Sequence, residues 1–409
     1  MIKSKTFIFV SIDGMTDPLG QSQVLPYLVG LSKLGYSIII CSCEKQQNWQ
    51  QNKQSIENIT TQANIIWNYC FYQTGKPFLS QWLNFKSLKN LVLKTIIENP
   101  NTYAIHCRSY LAGLIGLHAQ KKHRTKFIFD MRGFWADERI EGNIWSKSNP
   151  IGFILYKLFK KKEKEMLMKA DAIITLTERA KHIILNWNLN IPEQKMTVIP
   201  CCADLAHFST AQLNADHFQK IKNSLPNLNQ KLVLSYVGSL GTWYLSKEMI
   251  EFFSELRKHT PSHFLIITKD DKKEVEKLAE TYNIPKQDIS IVSSSRQDMP
   301  YYMALSEISI FFIKPSFSKT ASSPTKMGEL LSMGIPVITN TGIGDVDTII
   351  NNSQCGITIS NFNLASYQQA IQDILENRTL YKQNTIKTAQ ANFSLNDGIT
   401  KYKQIYQHI

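Results

Sequence analysis

Short runs of β-branched and aromatic residues alternate with longer stretches of helical period along most of the chain, and the alternation runs through two series. Apolar runs separated by helices cannot pair as hairpins, so they predict parallel sheets covered on both faces. The first series places strands at residues 6–12, 37–43, 63–67, 104–107, 126–130, 172–176 and 196–199. The second places them at 232–237, 264–268, 289–292, 308–313, 337–340 and 356–359. The 409 residues exceed the about 250–300 that one hydrophobic core holds, which agrees with two α/β, doubly wound domains. The polar stretch after Pro200 sets the boundary: 1–205, 206–387, and a terminal segment 388–409. A helix with Val24, Leu28, Leu31 and Leu34 on one face is expected after the first strand, with Pro26 in its first turn and Gly35 at its stop.

Composition narrows the class. Hydrophobic residues make up 43% and charged residues 19%, which excludes fibrous and globally disordered chains. The net charge is +13, and residues 1–205 hold 26 basic against 15 acidic side chains. Such an excess suits an anionic surface or a plain solvated lysine face. The segment 151–167 concentrates it, with Lys157, Lys160, Lys161, Lys162 and Lys164 beside Ile151, Ile154, Leu155, Leu158 and Phe159. That is a basic amphipathic helix, read either as an anionic membrane contact or as a core helix with a lysine-rich outer face. Nucleic acid is disfavoured, because no helix-turn-helix, RNP-like or aromatic-interleaved basic motif occurs. The seven cysteines are odd in number and lack any Cys-x-x-Cys spacing, which implies a reducing, cytoplasmic setting. The basic start Met1–Val10 resembles a signal n-region, but Asp13 cuts its apolar stretch short, so it reads as the first strand. No run reaches the about 20 apolar residues a membrane span needs, so membrane contact would be peripheral, on the inner face.

In doubly wound domains ligands bind beyond the carboxyl ends of the strands, and two such edges facing each other would make a cleft. The loops that leave strands for helices are therefore the ones to read. After the strand 308–313 comes a loop ending in Ser322-Ser323-Pro324-Thr325-Lys326, with Glu329 one turn on. Ser323 as N-cap and Pro324 at the first helical position would leave backbone N–H groups at a positive helix end, which suits phosphate. Hydroxyls of Ser322, Ser323 and Thr325 and the Lys326 ammonium add donors, and Glu329 suits ribose hydroxyls; an ordinary capped helix is the plain alternative. Gly238 and Ser239 follow the strand 232–237, where a glycine lets backbone approach a phosphate or sugar. The loop after the first strand offers Gly20 and Gln21. Asp130 and Arg132 leave the strand 126–130 as a carboxylate and a guanidinium, either as reacting groups or as a structural ion pair.

Other signals are weaker. No Gly-x-Gly-x-x-Gly fingerprint occurs, which disfavours a nicotinamide dehydrogenase, and no Gly-x-Ser-x-Gly elbow. Asp345 and Asp347 read as a helix N-cap and first-turn acid, and Pro261 between His259 and His263 argues against a two-histidine helix face. No metal and no resident cofactor is expected.

Five segments in register resemble a known family: 17–27, 129–138, 198–204, 238–244 and 323–329. They are similar to the glycosyltransferase family 4 group, of GT-B fold, with two Rossmann-like domains. The resemblance implies a nucleotide diphosphate-sugar donor on the C-terminal domain and a glycan or lipid-linked acceptor on the N-terminal domain. It implies metal-independent, retaining transfer in cell-surface polysaccharide synthesis, and a last helix that crosses back to the first domain. Glu329 matches the family's ribose-holding glutamate, and Gly20 the glycine near the donor phosphates. The other glutamate of the pair falls on Ala321, and the arginine that commonly follows the glycine of the 238–244 loop is Ser239. Lys326, Thr325 and Lys247 are then the candidates for gripping phosphate. The histidine often found where the strand of Phe129 ends is missing, which leaves Asp130 or Arg132 in its place. A nucleotide-sugar epimerase of the same architecture and a non-catalytic relative remain the rival readings.

Overall fold

The first series of apolar runs forms one parallel sheet, with strands β1 (Thr6–Ser11), β2 (Ser37–Glu44), β3 (Ile66–Phe71), β4 (Thr102–Arg108), β5 (Lys126–Asp130), β6 (Ala172–Thr175) and β7 (Met196–Val198). Their order in space is β3-β2-β1-β4-β5-β6-β7, so the winding reverses between β1 and β4. The second series forms a second parallel sheet from β8 (Leu232–Val237), β9 (Ser262–Ile267), β10 (Ile289–Val292), β11 (Ile308–Phe311), β12 (Val337–Asn340) and β13 (Gly356–Ile359). Its order is β10-β9-β8-β11-β12-β13, and it reverses between β8 and β11. Central strands are buried on both faces, as the unbroken apolar runs require: β8 and β9 have every residue buried. This computed structural model describes residues 5–75 and 77–409; the Met1–Ser4 part of the basic start lies outside them.

The chain divides into two compact units, Met1–Pro200 with Leu395–Ile409, and Cys201–Ser394. The second unit contains 18 basic and 18 acidic residues, so the whole +13 lies on the first. The last helix, Leu395–His408, is part of the first unit. Its Tyr406 ring stacks on Phe7 of β1 at 3.9 Å, and Ile399 fills the space beside Gly30.

One expected strand is corrected here. The expected strand 63–67 begins three residues later, because Ala63 caps the helix Gln46–Gln62 and Asn64 turns with φ +52°. The Ile65 N–H then closes on the Thr60 carbonyl at 2.8 Å, so the first half of that apolar run ends a helix. The helix expected with Pro26 in its first turn is Leu25–Lys33, with Val24 (φ −128°, ψ −65°) as its N-cap residue, and a separate short helix, Pro18–Gln23, precedes it. Pro26 has no N–H and its ring clashes with the carbonyl four residues back, so one continuous helix cannot pass through it. Gly35, at φ +91°, ends the second helix as its position suggests.

Candidate functional site

In the second unit the loops that leave β8 and β11 meet where the winding reverses. They are laced by backbone bonds, Lys314 N–H to the Trp243 carbonyl and Leu245 N–H to the Phe312 carbonyl, both 2.9 Å. The Asn340 side chain at the end of β12 imitates a strand neighbour: its amide donates to the Ile313 carbonyl at 2.9 Å and its oxygen accepts from the Ile313 N–H at 2.8 Å. Gly238 has φ +155°, and a Cβ there would lie 3.1 Å from the Tyr236 hydroxyl, which donates to the Ser239 carbonyl. The turn Ser318–Ala321 follows, and the nearly buried Lys319 holds its ammonium 3.8 Å from the centre of the Trp243 ring.

The helix after this turn is Thr325–Ser332, with Pro324 as its N-cap residue (φ −66°, ψ 112°). That corrects the expected Ser323 cap by one position. The Ser323 hydroxyl instead accepts from the Cys201 N–H at 3.1 Å, tying down the start of the unit. Ser322 and Thr325 are half-buried at the helix entrance. Lys326 donates to the Glu329 carboxylate at 2.6 Å, and Glu329 is 1% exposed. A buried carboxylate, two lysines and a helix N-terminus thus gather on one strand edge, an arrangement able to hold a diphosphate with polyol hydroxyls beside it.

The first unit builds a charged cluster at the carboxyl ends of β1, β4 and β5. Asp130 is fully buried and accepts from the Tyr402 hydroxyl at 3.2 Å. Arg132 stands 3.7 Å from one of its oxygens; Arg108 and His106 stand 4.0 and 3.8 Å from the other. Burial works to raise the Asp130 pKa, but Arg132, His106 and Arg108 together outweigh it and hold the carboxyl below its ordinary range. Burial pushes His106 the other way, keeping the ring neutral against the pull of Asp130. Arg132 has φ +60° and precedes Gly133 at φ +128°, so the chain turns sharply where the guanidinium leaves the strand. Nearby, the buried Glu44 carboxylate accepts from the Met15 and Thr16 N–H groups at 2.7 and 3.0 Å and from the Thr16 and Ser42 hydroxyls. It fixes the loop after β1. Gly20 packs against that loop so closely that a Cβ would lie 2.1 Å from the Gly14 carbonyl oxygen. Gln21 donates to the Thr16 carbonyl within it at 2.9 Å.

Two family models match the chain in succession: Glycosyltransferase Family 4 over residues 24–207 and Glycosyl transferases group 1 over residues 217–391. The chain belongs to this glycosyltransferase family. Solved structures of the same fold cover nearly all of it. A glycosyltransferase from Rickettsia africae is 18% identical at TM-score 0.71, covering 99% of this chain and 98% of its own. Sucrose-phosphate synthase from Thermosynechococcus elongatus is 14% identical at TM-score 0.74, covering 98% of each. HepE from Anabaena, solved in complex with UDP-glucose, is 12% identical at TM-score 0.72, covering 99% and 100%. No curated protein sequence matches the chain. Both matched models describe transferases, which favours that reading over the epimerase and non-catalytic rivals.

For the transferase, the strand-edge readings gather into two sets: Gly238, Ser239, Ser322, Ser323, Thr325, Lys326 and Glu329 in one unit, Gly20, Gln21, Asp130 and Arg132 in the other. Lys247 is exposed and stands 3.5 Å from Glu251 one turn along its helix. Asp130 is a buried anchor between arginines. Among the described residues no group of three or more histidine, cysteine or carboxylate side chains is placed to hold a metal ion, and Asp347 accepts from the Gly342 N–H. Sequence reading passed over Arg108, Glu44 and Lys319. Arg108 had a legible signal, a charge at the end of an apolar strand like Asp130; Lys319 had none, since only the turn brings it to Trp243.

Proposed function

We propose that this transferase moves a sugar from a nucleoside diphosphate donor to a glycan or lipid-linked acceptor, with retention and without a metal ion, in cell-surface polysaccharide synthesis. The observation that carries the donor reading is the pairing of the buried Glu329 with Lys326 at the entrance of the helix Thr325–Ser332. Glu329 would accept the ribose hydroxyls. Lys326, Lys319 and the helix N-terminus would oppose the charge that builds on the leaving diphosphate, with no reorganisation at the moment of reaction. The complex of the Anabaena relative with UDP-glucose supports a nucleotide-sugar and makes UDP the first base to test. In the first unit, Arg132 and Arg108, pinned by Asp130, would offer positive charge to an acceptor bound there.

The reading includes a cytoplasmic enzyme docked on the inner face of a membrane. Among the described residues no helix is long and apolar enough to cross one. On the helix Pro150–Lys169, Ile151, Ile154 and Leu158 are exposed, and Lys157, Lys161 and Lys164 are exposed beside them. Lys160 departs from the basic outer face read in the sequence: it turns inward, 2.8 Å from Asp137 and paired with the buried Glu163.

Calorimetry tests the donor assignment. Glu329→Ala should remove charge-assisted hydrogen bonds of roughly 1.5–3 kcal/mol, weakening UDP about ten- to a hundredfold. Lys326→Ala should lower turnover more than it weakens UDP. Unchanged UDP affinity in the first variant would remove Glu329 from the donor site.

A further inference from the structure

An open groove of the first unit lies away from the strand ends that carry the candidate site. It holds about 610 Å³, within the range of about 300–1,000 Å³ typical of ligand clefts. It runs between the second half of the helix Gln46–Gln62 and the first half of β3, the edge strand of its sheet. A helix that follows a parallel strand runs back toward the amino ends of the sheet. The groove therefore opens toward the amino-terminal half, opposite the carboxyl edge where Asp130 and Glu44 stand.

Its lining is unusual for a helix laid on a sheet. Gln54, Asn58 and Thr61 recur at helical spacing with Glu57 beside them, while Trp67 and Tyr69 alternate onto one face of the strand. Packing alone would place apolar residues on the helix side. The two rings form an angled platform, centroids 4.9 Å apart and planes at 41°. The Trp67 indole N–H donates to Ser42 Oγ at 2.9 Å, and Ser42 donates to Glu44 at 2.6 Å, so the ring is held in place. Across from it the Gln54 amide donates to Asn58 at 3.2 Å, and Lys53 stands 3.5 Å from Glu57.

We infer that this groove binds an uncharged glycan segment, as a site separate from the one where transfer occurs. Pyranose rings offer an apolar C–H face to an aromatic platform and hydroxyls to amides and carboxylates, which is the mixture found here. The lining contains a carboxylate and no lysine or arginine, which disfavours phosphates and nucleic acid. Six of its nine side chains are polar or charged, which disfavours a lipid tail. Rings and amides already held in position lower the ordering cost of binding. The inference rests on the reading of the enzyme as one that works on glycans. A second carbohydrate site would keep a growing chain beside the enzyme between transfers, through effective concentration.

Native electrophoresis of the full chain through gels containing dextran, soluble starch, xyloglucan or galactomannan tests it. At least one polysaccharide should retard the protein. The double variant Gln54→Ala, Asn58→Ala, at two exposed positions that leave the fold intact, should bind that polysaccharide about tenfold more weakly. Trp67→Phe, which keeps a ring but removes the bond to Ser42, should also weaken retardation. Glu329→Ala should be retarded like the parent, and the groove variants should bind UDP like the parent, so the two sites fail separately. Retardation by none of the four polysaccharides, or equal retardation of the double variant and the parent, overturns the inference. Retardation lost in Glu329→Ala and kept in the double variant would place the glycan at the reaction site and overturn it too.

Discussion

His263 on β9 has no exposed surface, and its ring contacts the Ser290 hydroxyl at 3.0 Å. Burial and the nearby Lys231 push its pKa down to about 4. The unfolded chain, with an ordinary histidine near 6.5, therefore binds a proton that the folded chain refuses between those values. Stability is full above about pH 6.5 and falls as pH drops toward about 4. Urea midpoints at pH 7 and pH 5 should fall less in His263→Gln than in the parent; equal falls would show that the ring does not titrate on unfolding. Nothing in the sequence marked His263 as buried and neutral, because its neighbours across the sheet come from distant segments. The strand-end residues were legible for the opposite reason. A charge that closes an apolar run, as in Asp130, is conspicuous along the chain, whereas its partners Tyr402 and Arg132 depend on a helix from the far terminus and on a turn with positive φ.

Elements were read well where an apolar run does one job. All of β8 could be placed from its sequence and β9 to within two residues at its start, but β3 slipped because its run serves both a helix end and an edge strand. The terminal helix could be recognised but not placed from composition. Its place in the first unit comes from shape: Tyr406 stacks on Phe7, meets Tyr36 edge-on and contacts His106 at 2.9 Å. Tyr406→Ala removes a fully buried aromatic and strands the His106 ring, so it should cost roughly 3–5 kcal/mol. Chemical denaturation would measure this. A loss below about 1 kcal/mol would mean that the helix adds little to the sheet it covers.

For the whole molecule, the charge separates with the two units: the second is balanced and the first holds all +13. If that excess serves a membrane, anionic vesicles should float the full chain at low salt and release it at high salt. Charge reversal at Lys157, Lys161 and Lys164 together should abolish flotation, since each lysine near the surface contributes about 1 kcal/mol. Failure to float at either salt concentration would return the charge to a solvated face. The proposed donor site is formed by the loops leaving β8 and β11. Hydrogen exchange followed by mass spectrometry, with and without saturating UDP, GDP or ADP, tests it most directly. One of the three should slow exchange in peptides spanning residues 238–245 and 318–330, and that protection should disappear in Glu329→Ala. Protection confined to other peptides, or none with any of the three, would contradict it.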